Sequence, residues 1–192
     1  MIRRTAMLLA LLVTPAAAAQ KPIPILIATQ LGDIEAELDS ARTPITVMNF
    51  LRYVDAHLFD GGTFFRTVRI DNQPADSVKI EVIQGGIARE KRAEAFPAIP
   101  LERTRDTGLR HLDGTLSMAR GGPNSATDSF FITIGDQREL DFGGKRNKDG
   151  QGFAAFGRVT KGLDDVVRKI QAQPAQGQSL STPITIQRIV RR

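Results

Sequence analysis

The sequence predicts a mainly β fold, a closed eight-stranded antiparallel β-barrel whose open ends are capped by two α-helices. Eight short runs rich in β-branched and aromatic residues are separated by turn-forming Gly, Pro, Asn and Asp, a pattern typical of small barrels. Two further segments place apolar residues at helical spacing, and the chain contains no internal repeat. Periodicity leaves the order of the strands in the sheet open.

The predicted strands are bounded by turn residues. Residues 23–29 and 33–38 form a hairpin, because Gly32 in the turn between them can adopt a dihedral angle that other residues avoid. The remaining strands are expected at 63–69, 78–84, 115–119, 130–134, 153–159 and 184–190. Residues 70–77, which include Pro74, form a loop.

Two amphipathic helices complete the predicted fold. Thr43 suits the N-cap of the first helix, and Pro44 suits its first helical position. Its apolar face is formed by Val47, Phe50, Leu51, Val54 and Leu58. The second helix is expected over residues 163–170. Residues 90–112 are charged and irregular, with room for a helical turn.

The composition fits one domain and excludes several kinds of site. The chain has 192 residues, of which 41% are hydrophobic, enough for one core. It has no Cys, which excludes disulfides, thiolate zinc sites and thiol nucleophiles. His57 and His111 are its only histidines, and neither lies in a zinc-protease or catalytic-triad sequence pattern. We therefore expect no cofactor or metal, and structural or solvent-exposed roles for both histidines.

The first residues have the features of a signal peptide. Arg3 and Arg4 precede an apolar run at 6–13, and small residues ending at Ala19 follow, so we expect cleavage near Ala19. The domain would then comprise residues 20–192, in a periplasmic or secreted protein. The run is shorter than the ~20 residues that span a bilayer, so the mature protein should have no membrane segment. A retained anchor is the alternative.

The charge gives little support for a nucleic-acid partner. The chain has a net charge of +5, and removal of residues 1–19 takes away two arginines and no acidic residue, which leaves +3. The basic residues are scattered and do not alternate with exposed aromatics. We expect a monomer that does not bind nucleic acid. Its net positive charge is compatible with binding to an acidic surface or an acidic partner.

A series of short motifs carries the most specific functional signal. They are residues 59–66 (Phe-Asp-Gly-Gly-Thr-Phe-Phe-Arg), 83–86 (Ile-Gln-Gly-Gly), 114–120 (Gly-Thr-Leu-Ser-Met-Ala-Arg), 122–125 (Gly-Pro-Asn-Ser), 129–132 (Ser-Phe-Phe-Ile) and 153–159 (Phe-Ala-Ala-Phe-Gly-Arg-Val). In this order and at these separations the set resembles the cyclophilin family of peptidyl-prolyl cis-trans isomerases. The resemblance covers roughly residues 23–190.

The resemblance implies an eight-stranded antiparallel barrel with two capping helices and, on one barrel face, a groove that binds X-Pro peptides. Arg66 matches the catalytic arginine of the family's Phe-His-Arg run, with Phe65 in place of the His. Strict alternation along this strand predicts that Phe64 faces the core and that Arg66 does not share the side of Phe65.

The resemblance also implies the residues that bind the substrate. Phe131 would form the floor of the proline pocket, Val82 stands where the family commonly has Met, and Leu140 and Phe153 would close the wall. Gln84 would hydrogen-bond the residue before proline. The strand at Ala119 and Arg120 would pair with the peptide backbone.

Four positions depart from the family pattern. Glu81 stands where a pocket Phe is usual, and Ser129 replaces a usual Gln. Glu139 replaces a frequent aromatic, which puts binding of cyclosporin-type inhibitors in doubt, and Phe153 stands where many members have His. Glu81 would weaken the pocket, unless the loop at 70–77, which is longer than in the simplest family pattern, shifts the register and places another residue there.

The sequence therefore predicts a cofactor-independent peptidyl-prolyl isomerase that acts on proline-containing polypeptides and assists protein folding. Isomerisation of X-Pro bonds takes tens to hundreds of seconds, slow enough to limit folding. The departures at Glu81, Ser129 and Glu139 keep an alternative open, a catalytically weak peptide-binding or chaperone module with the same groove. A barrel that binds a small molecule inside is disfavoured, because bulky residues alternate along the strands. The client proteins are not encoded in these motifs.

Overall fold

The computed structural model describes residues 20–192, and the predicted signal peptide therefore lies outside the described residues. The main element is a β-sheet that closes on itself. Its strands are β1 Ile23–Thr29, β2 Gly32–Leu38, β3 Thr63–Val68, β4 Val82–Gly86, β5 Thr115–Met118, β6 Phe130–Thr133, β7 Ala154–Lys161, β8 Ala175–Gln176 and β9 Ser179–Arg191.

Eight of these strands form the barrel. Their order is β1-β2-β7-β5-β6-β4-β3-β9, and β9 returns to pair with β1. Every neighbouring pair is antiparallel, so the predicted eight-stranded antiparallel barrel is confirmed. The short β8 pairs only with the start of β9, through a tight turn at Gly177 (φ 58°). Two residues are too few to give an alternating pattern, and the sequence did not predict this strand.

Helix α1, Pro44–Asp55, begins at the predicted proline, but its N-cap differs from the prediction. The side chain of Thr43 makes no capping hydrogen bond. Instead, the Glu102 carboxylate accepts hydrogen bonds from the amides of Ile45 and Thr46, at 3.2 and 2.8 Å. A carboxylate also suits the positive end of the helix dipole. The cap comes from a distant loop and was therefore invisible to a local motif.

The other helical segments are short. One turn, α2 at Thr104–Thr107, lies within the irregular region 90–112. The second predicted helix is a wide turn at Leu163–Val167 that continues into α3, Arg168–Gln171, and its apolar side is buried as expected. None of the helices in residues 20–192 has the length and hydropathy to cross a membrane.

Strand β4 begins and ends later than the predicted residues 78–84. Ile80, just before the strand, bonds to a side chain instead of a neighbouring strand, because the amide group of Gln73 donates to the Ile80 carbonyl (2.7 Å) and accepts from the Ile80 amide (3.2 Å). The strand then extends through Gly85 and Gly86, which pair with β3. The predicted bounds were therefore wrong at both ends.

Strand β9 begins well before the predicted residues 184–190. It starts at Ser179 and passes through Pro183. The register with β3 is interrupted between Ser179 and Ile184, so the missing N–H of the proline falls in a gap of the ladder. The prediction was wrong because a proline inside a run usually ends a strand.

A β-bulge in β3 determines which way Arg66 points. Phe64 lies opposite Gly85 and Arg66 lies opposite Gln84, which leaves Phe65 as the extra residue. Phe64 is fully buried in the barrel, whereas Arg66 lies on the outside and bonds to Gln84. The strict alternation assumed from the sequence, which groups Arg66 with Phe64, was therefore wrong.

The barrel interior is filled by aromatic rings. Phe50 of α1 lies 5.4 Å from Phe130 of β6, and Phe64 lies 5.7 Å from Phe130, measured between ring centroids. Phe59 and Phe156 complete this inner cluster, and none of the five rings is more than 1% exposed. With its interior filled, the barrel can bind a partner only on its outside.

Candidate functional site

All eight residues that the sequence assigned to the site line one cavity on the outside of the barrel. The cavity has a volume of about 260 Å³. The predicted residues in its lining are Arg66, Val82, Gln84, Ala119, Arg120, Phe131, Leu140 and Phe153. Sequence reasoning missed the remaining lining residues, which are Ile80, Arg146 and Asn147.

The floor of the cavity is a second apolar cluster, separate from the inner one. Its buried members are Val68, Ile80, Val82, Phe131 and Leu140, with Ala119 and Phe153 packed beside them. The rings of Phe131 and Phe153 meet edge to face, with centroids 5.3 Å apart. Strand alternation places Val68, Val82 and Phe131 on the outer side, while Ile80 and Leu140 come from segments between the strands.

Arg66 is held at the rim of the cavity by two glutamine side chains. Its Nη1 donates to Oε1 of Gln84 at 2.8 Å. Its Nε donates to Oε1 of Gln178 at 3.0 Å, and its Nη2 donates to the same oxygen. Gln178 lies in the turn between β8 and β9, which the sequence did not predict, so this partner was missed as well.

The charge of Arg66 is not neutralised by a carboxylate. None of the salt bridges in residues 20–192 involves this guanidinium. Burial lowers the pKa of Arg66, the positive charge of Arg146 lowers it further, and Asp76 opposes both. The group still carries its charge at neutral pH. A partly desolvated donor of this kind forms stronger hydrogen bonds than one in water.

Ile80, and not Glu81, lies in the part of the cavity wall that the sequence left uncertain. Its side chain is 6% exposed and packs in the floor cluster. Gln73, which is 1% exposed, fixes the peptide groups on both sides of Ile80 through the hydrogen bonds described above. Glu81 accepts a hydrogen bond from Gln171 (3.1 Å) and is not part of the cavity lining. The longer loop therefore supplies another apolar residue, one of the two outcomes considered for Glu81.

Of the other three departures, Phe153 lines the cavity, whereas Glu139 and Ser129 lie outside the lining. Glu139 accepts a hydrogen bond from the amide of Lys145 at 2.8 Å and so braces the loop that follows it. Ser129 donates to the carboxylate of Asp128 at 3.3 Å. Neither residue narrows or opens the cavity.

Arg120 is bound firmly by the loop opposite. Its Nη1 and Nη2 donate to the two carboxylate oxygens of Asp149, at 2.7 and 2.9 Å, and its Nε donates to the Gly152 carbonyl at 2.8 Å. These hydrogen bonds are the main reason that the pKa of Asp149 falls to about 2. The guanidinium also lies 5.2 Å from the centre of the Phe153 ring. Arg120 therefore orders the cavity wall.

The two histidines differ in their surroundings. His57 is exposed at the end of α1, as expected. His111 is fully buried, and its ring nitrogens lie 2.7 Å from Asp141 Oδ1 and 2.9 Å from Ser117 Oγ. The sequence pattern did not reveal this Ser-His-Asp chain. Ser117 is also fully buried, so no substrate can reach it, and the His111 ring stacks behind Phe131 at 5.9 Å. The role of His111 is structural.

A larger cavity, of about 730 Å³, lies elsewhere on the barrel. Its lining includes Glu37, Arg158 and Val159 but none of the eight predicted site residues. Two ion pairs lie within this lining, Arg158 with Glu37 at 2.9 Å and Arg42 with Asp39 at 2.6 Å. We place the site in the smaller cavity, because it contains all eight predicted residues and has an apolar floor beside the guanidinium of Arg66.

The geometry of the smaller cavity limits the chemistry that it can perform. It offers an apolar floor for a small ring and a guanidinium donor at the rim. Among residues 20–192, no cluster of three or more His, Asp or Glu side chains could hold a metal ion. The arrangement suits hydrogen-bond donation to a group that lies over the ring-binding floor.

Comparisons with known proteins point to one protein family. The sequence profile of the family described as "Cyclophilin type peptidyl-prolyl cis-trans isomerase/CLD" matches residues 25–191. Peptidyl-prolyl cis-trans isomerase A of Dickeya dadantii is 35% identical over 180 residues, which cover 91% of this chain and 87% of that protein. Peptidyl-prolyl cis-trans isomerase cyp18 of Streptomyces antibioticus is 36% identical and covers 78% of this chain and 85% of its own.

Solved structures support the same fold. A cyclophilin-type peptidyl-prolyl cis-trans isomerase from Cryptosporidium parvum superposes with a TM-score of 0.70 at 21% sequence identity, covering 89% of this chain and 98% of that chain. A second structure of that protein, determined in the presence of the dipeptide Ala-Pro, gives a TM-score of 0.69.

Proposed function

Because this chain belongs to the cyclophilin-type peptidyl-prolyl cis-trans isomerase family and is an isomerase of X-Pro peptide bonds, we propose that Arg66 is its catalytic group and that Phe131 is the main surface for the proline ring. One observation carries this proposal: a guanidinium without a carboxylate partner lies at the rim of an apolar hollow on the barrel face.

The reaction requires a lower rotational barrier and no covalent step. Resonance stiffens the peptide C–N bond and gives a barrier of ~18–20 kcal/mol. In the twisted transition state this conjugation is lost, and the proline nitrogen becomes a hydrogen-bond acceptor. Arg66 donates to that nitrogen, an interaction that the planar ground state cannot make. Catalysis then comes from binding the twisted geometry more tightly than the planar one.

The other lining residues hold the substrate in place. Phe131, Val82 and Leu140 form the surface on which the ring packs. Gln84 uses its Oε1 to accept from Arg66, which leaves its NH2 group to donate to the carbonyl before the proline. The backbone at Ala119, just beyond the end of β5, pairs with the peptide backbone.

A protease-coupled assay on a proline peptide tests this proposal. We expect Arg66→Ala to lose about 10²–10³-fold in kcat/KM, the usual cost of removing one transition-state donor. Its circular dichroism spectrum should match that of the wild type. The matched control is Arg158→Ala, since Arg158 is exposed and lies at the other cavity. Equal activity in wild type and Arg66→Ala would remove Arg66 from the mechanism.

We also propose that the protein is exported and assists folding outside the cytoplasm. The support is the order of a basic pair, an apolar run and small residues within 1–19. Mass spectrometry of protein recovered from the native host tests this proposal. We expect a mature chain that starts near Gln20 in the periplasmic or culture fraction, and an intact N-terminus in the membrane fraction would contradict it.

A further inference from the structure

The cavity lining carries positive charge that its surroundings neutralise only in part. Three arginines line the cavity, Arg66, Arg120 and Arg146, and no acidic residue lies in the lining. Arg120 is paired in bidentate geometry with Asp149. Within the part of the chain that the structure describes, Arg66 has only the neutral oxygens of glutamines as partners. The remaining charge to account for is that of Arg146.

Arg146 lies where two long loops meet at the cavity. Its Nη1 donates to the Val78 carbonyl (2.6 Å) and to Gln73 Oε1 (3.1 Å), and it lies 3.1 Å from the carboxylate of Asp76. All these contacts use one nitrogen. Among the described residues, the hydrogen bonds leave its Nε and Nη2 without an acceptor. Its side chain is 13% exposed, so the loops fix it in position.

This arrangement creates a positive potential beside the ring-binding floor. Low-dielectric walls reduce the screening of charges that line a cleft. The lowered pKa of Arg66, caused in part by Arg146, agrees with two guanidinium groups close enough to repel each other. Lys145 and Lys148 flank Arg146 in the same loop and add charge of the same sign.

We propose that the substrates preferred by this site carry an acidic side chain directly before or directly after the proline, and that the free N–H groups of Arg146 bind it. This inference rests on the proposed function of the cavity. It makes Arg146 a specificity residue, with Arg66 as the catalytic group. A carboxylate is the acceptor that best matches a guanidinium with two unused donors.

The test compares peptides that differ at one position. Two series carry Glu, Gln or Lys, either directly before or directly after the proline, and kcat/KM is measured for each. In at least one series we expect Glu to exceed Gln by about two- to fivefold, the range of a partly exposed ion pair, and Lys to fall below Gln. The preference should shrink between low and high salt, because added ions screen it.

Two variants and a control separate charge from loop structure. Arg146→Gln should abolish the preference of Glu over Gln, and Arg146→Lys, which keeps the charge, should retain part of it. Arg158→Gln removes the same charge at the other cavity and should keep the whole preference. Equal rates for Glu and Gln in both series, or a preference unchanged in Arg146→Gln, would overturn the inference.

The same measurements distinguish a failure of the acidic specificity from a failure of the proposed function. Turnover of all peptides without a charge preference would overturn only the acidic specificity. Absence of turnover with every peptide would overturn the proposed function instead. Calorimetric binding of the same peptides would then still decide the specificity, since tighter binding of Glu than of Gln supports it and equal binding overturns it.

Discussion

The two faces of the same strands have different roles in this molecule. Phe130 and Phe131 are neighbours in β6, yet Phe130 packs inside the barrel against Phe50, Phe59 and Phe64, while Phe131 forms the floor of an external cavity. The inner face consists of rings in mutual contact. The outer face combines a small apolar cluster with charged groups held by loops. This difference predicts that the inner face determines stability and that the outer face determines activity.

Alanine substitutions at these two neighbours give the largest expected effect. Phe130→Ala should cost about 3–5 kcal/mol of unfolding free energy, because it leaves a cavity among packed rings. Phe131→Ala should cost less stability, because its ring borders the external cavity, and it should lose at least about tenfold in kcat/KM because the proline ring loses its floor. Urea unfolding and the coupled assay measure both quantities. If Phe130→Ala and Phe131→Ala lost the same stability and the same activity, the division between the two faces would be contradicted.

Removal of the Gln73 side chain tests the loops that build the outer face. Gln73→Ala leaves both peptide groups of Ile80 without partners in a buried place, which costs about 1–3 kcal/mol. We expect KM to rise more than kcat falls, since Ile80 forms part of the wall. The control is Gln173→Ala, because within residues 20–192 the side chain of Gln173 bonds only to the nearby Lys169 carbonyl. An unchanged KM in Gln73→Ala would show that Ile80 holds its place without this support.

Gln178 tests how the rim positions the guanidinium. Gln178→Ala removes one of the two partners of Arg66 and leaves Gln84 in place. The lost oxygen accepts from both Nε and Nη2 of Arg66, so a cost of about 1–2 kcal/mol predicts a fall in kcat of roughly five- to thirtyfold with little change in KM. Stability should stay within experimental error of the wild type. A rise in KM without a fall in kcat would place Gln178 in substrate binding and not in the positioning of Arg66.

The pair of Arg120 and Asp149 gives the smallest expected effect. The pKa of Asp149 is lowered to about 2 in the folded protein, so its ion pair contributes stability above the ordinary carboxyl pKa and loses it as the pH falls through about 2. Stability between pH 5 and pH 8 should therefore not depend on this group. A carbon-13 titration of the Asp149 carboxyl measures the value. A midpoint near that of an ordinary aspartate would show that the pair does not form in solution.

The family resemblance predicted eight residues of the candidate site, four of which lie in strands and four in the segments between them. Arg66, Phe131 and Gln84 stand in short motifs, and a strand presents every second side chain to the same face. The barrel was also predicted from the strand pattern, because eight short strands separated by turns are typical of a small closed barrel. The alternation failed at Phe65, because a bulge depends on the partner strand and leaves no mark in the periodicity.

The residues that the sequence missed come from loops. Ile80 and Arg146 are placed by hydrogen bonds across 7 and 73 positions of the chain, and Gln178 lies 112 positions from Arg66. No local pattern encodes contacts at such separations. The buried chain of His111, Asp141 and Ser117 was missed for the same reason. Side-chain hydrogen bonds between distant loops follow from the three-dimensional fold and not from a local sequence pattern.

An NMR titration with a short Ala-Pro peptide tests the central claim most directly, that proline binds on the outer face under Arg66. We expect the methyl signals of Val82 and Leu140 and the ring signals of Phe131 to shift, in Arg66→Ala as in the wild type, while exchange between the cis and trans peptide is accelerated only by the wild type. Methyl signals of Leu112 and Val159, at the larger cavity, should stay in place. Shifts confined to Leu112 and Val159, with Val82 and Leu140 unmoved, would contradict the account.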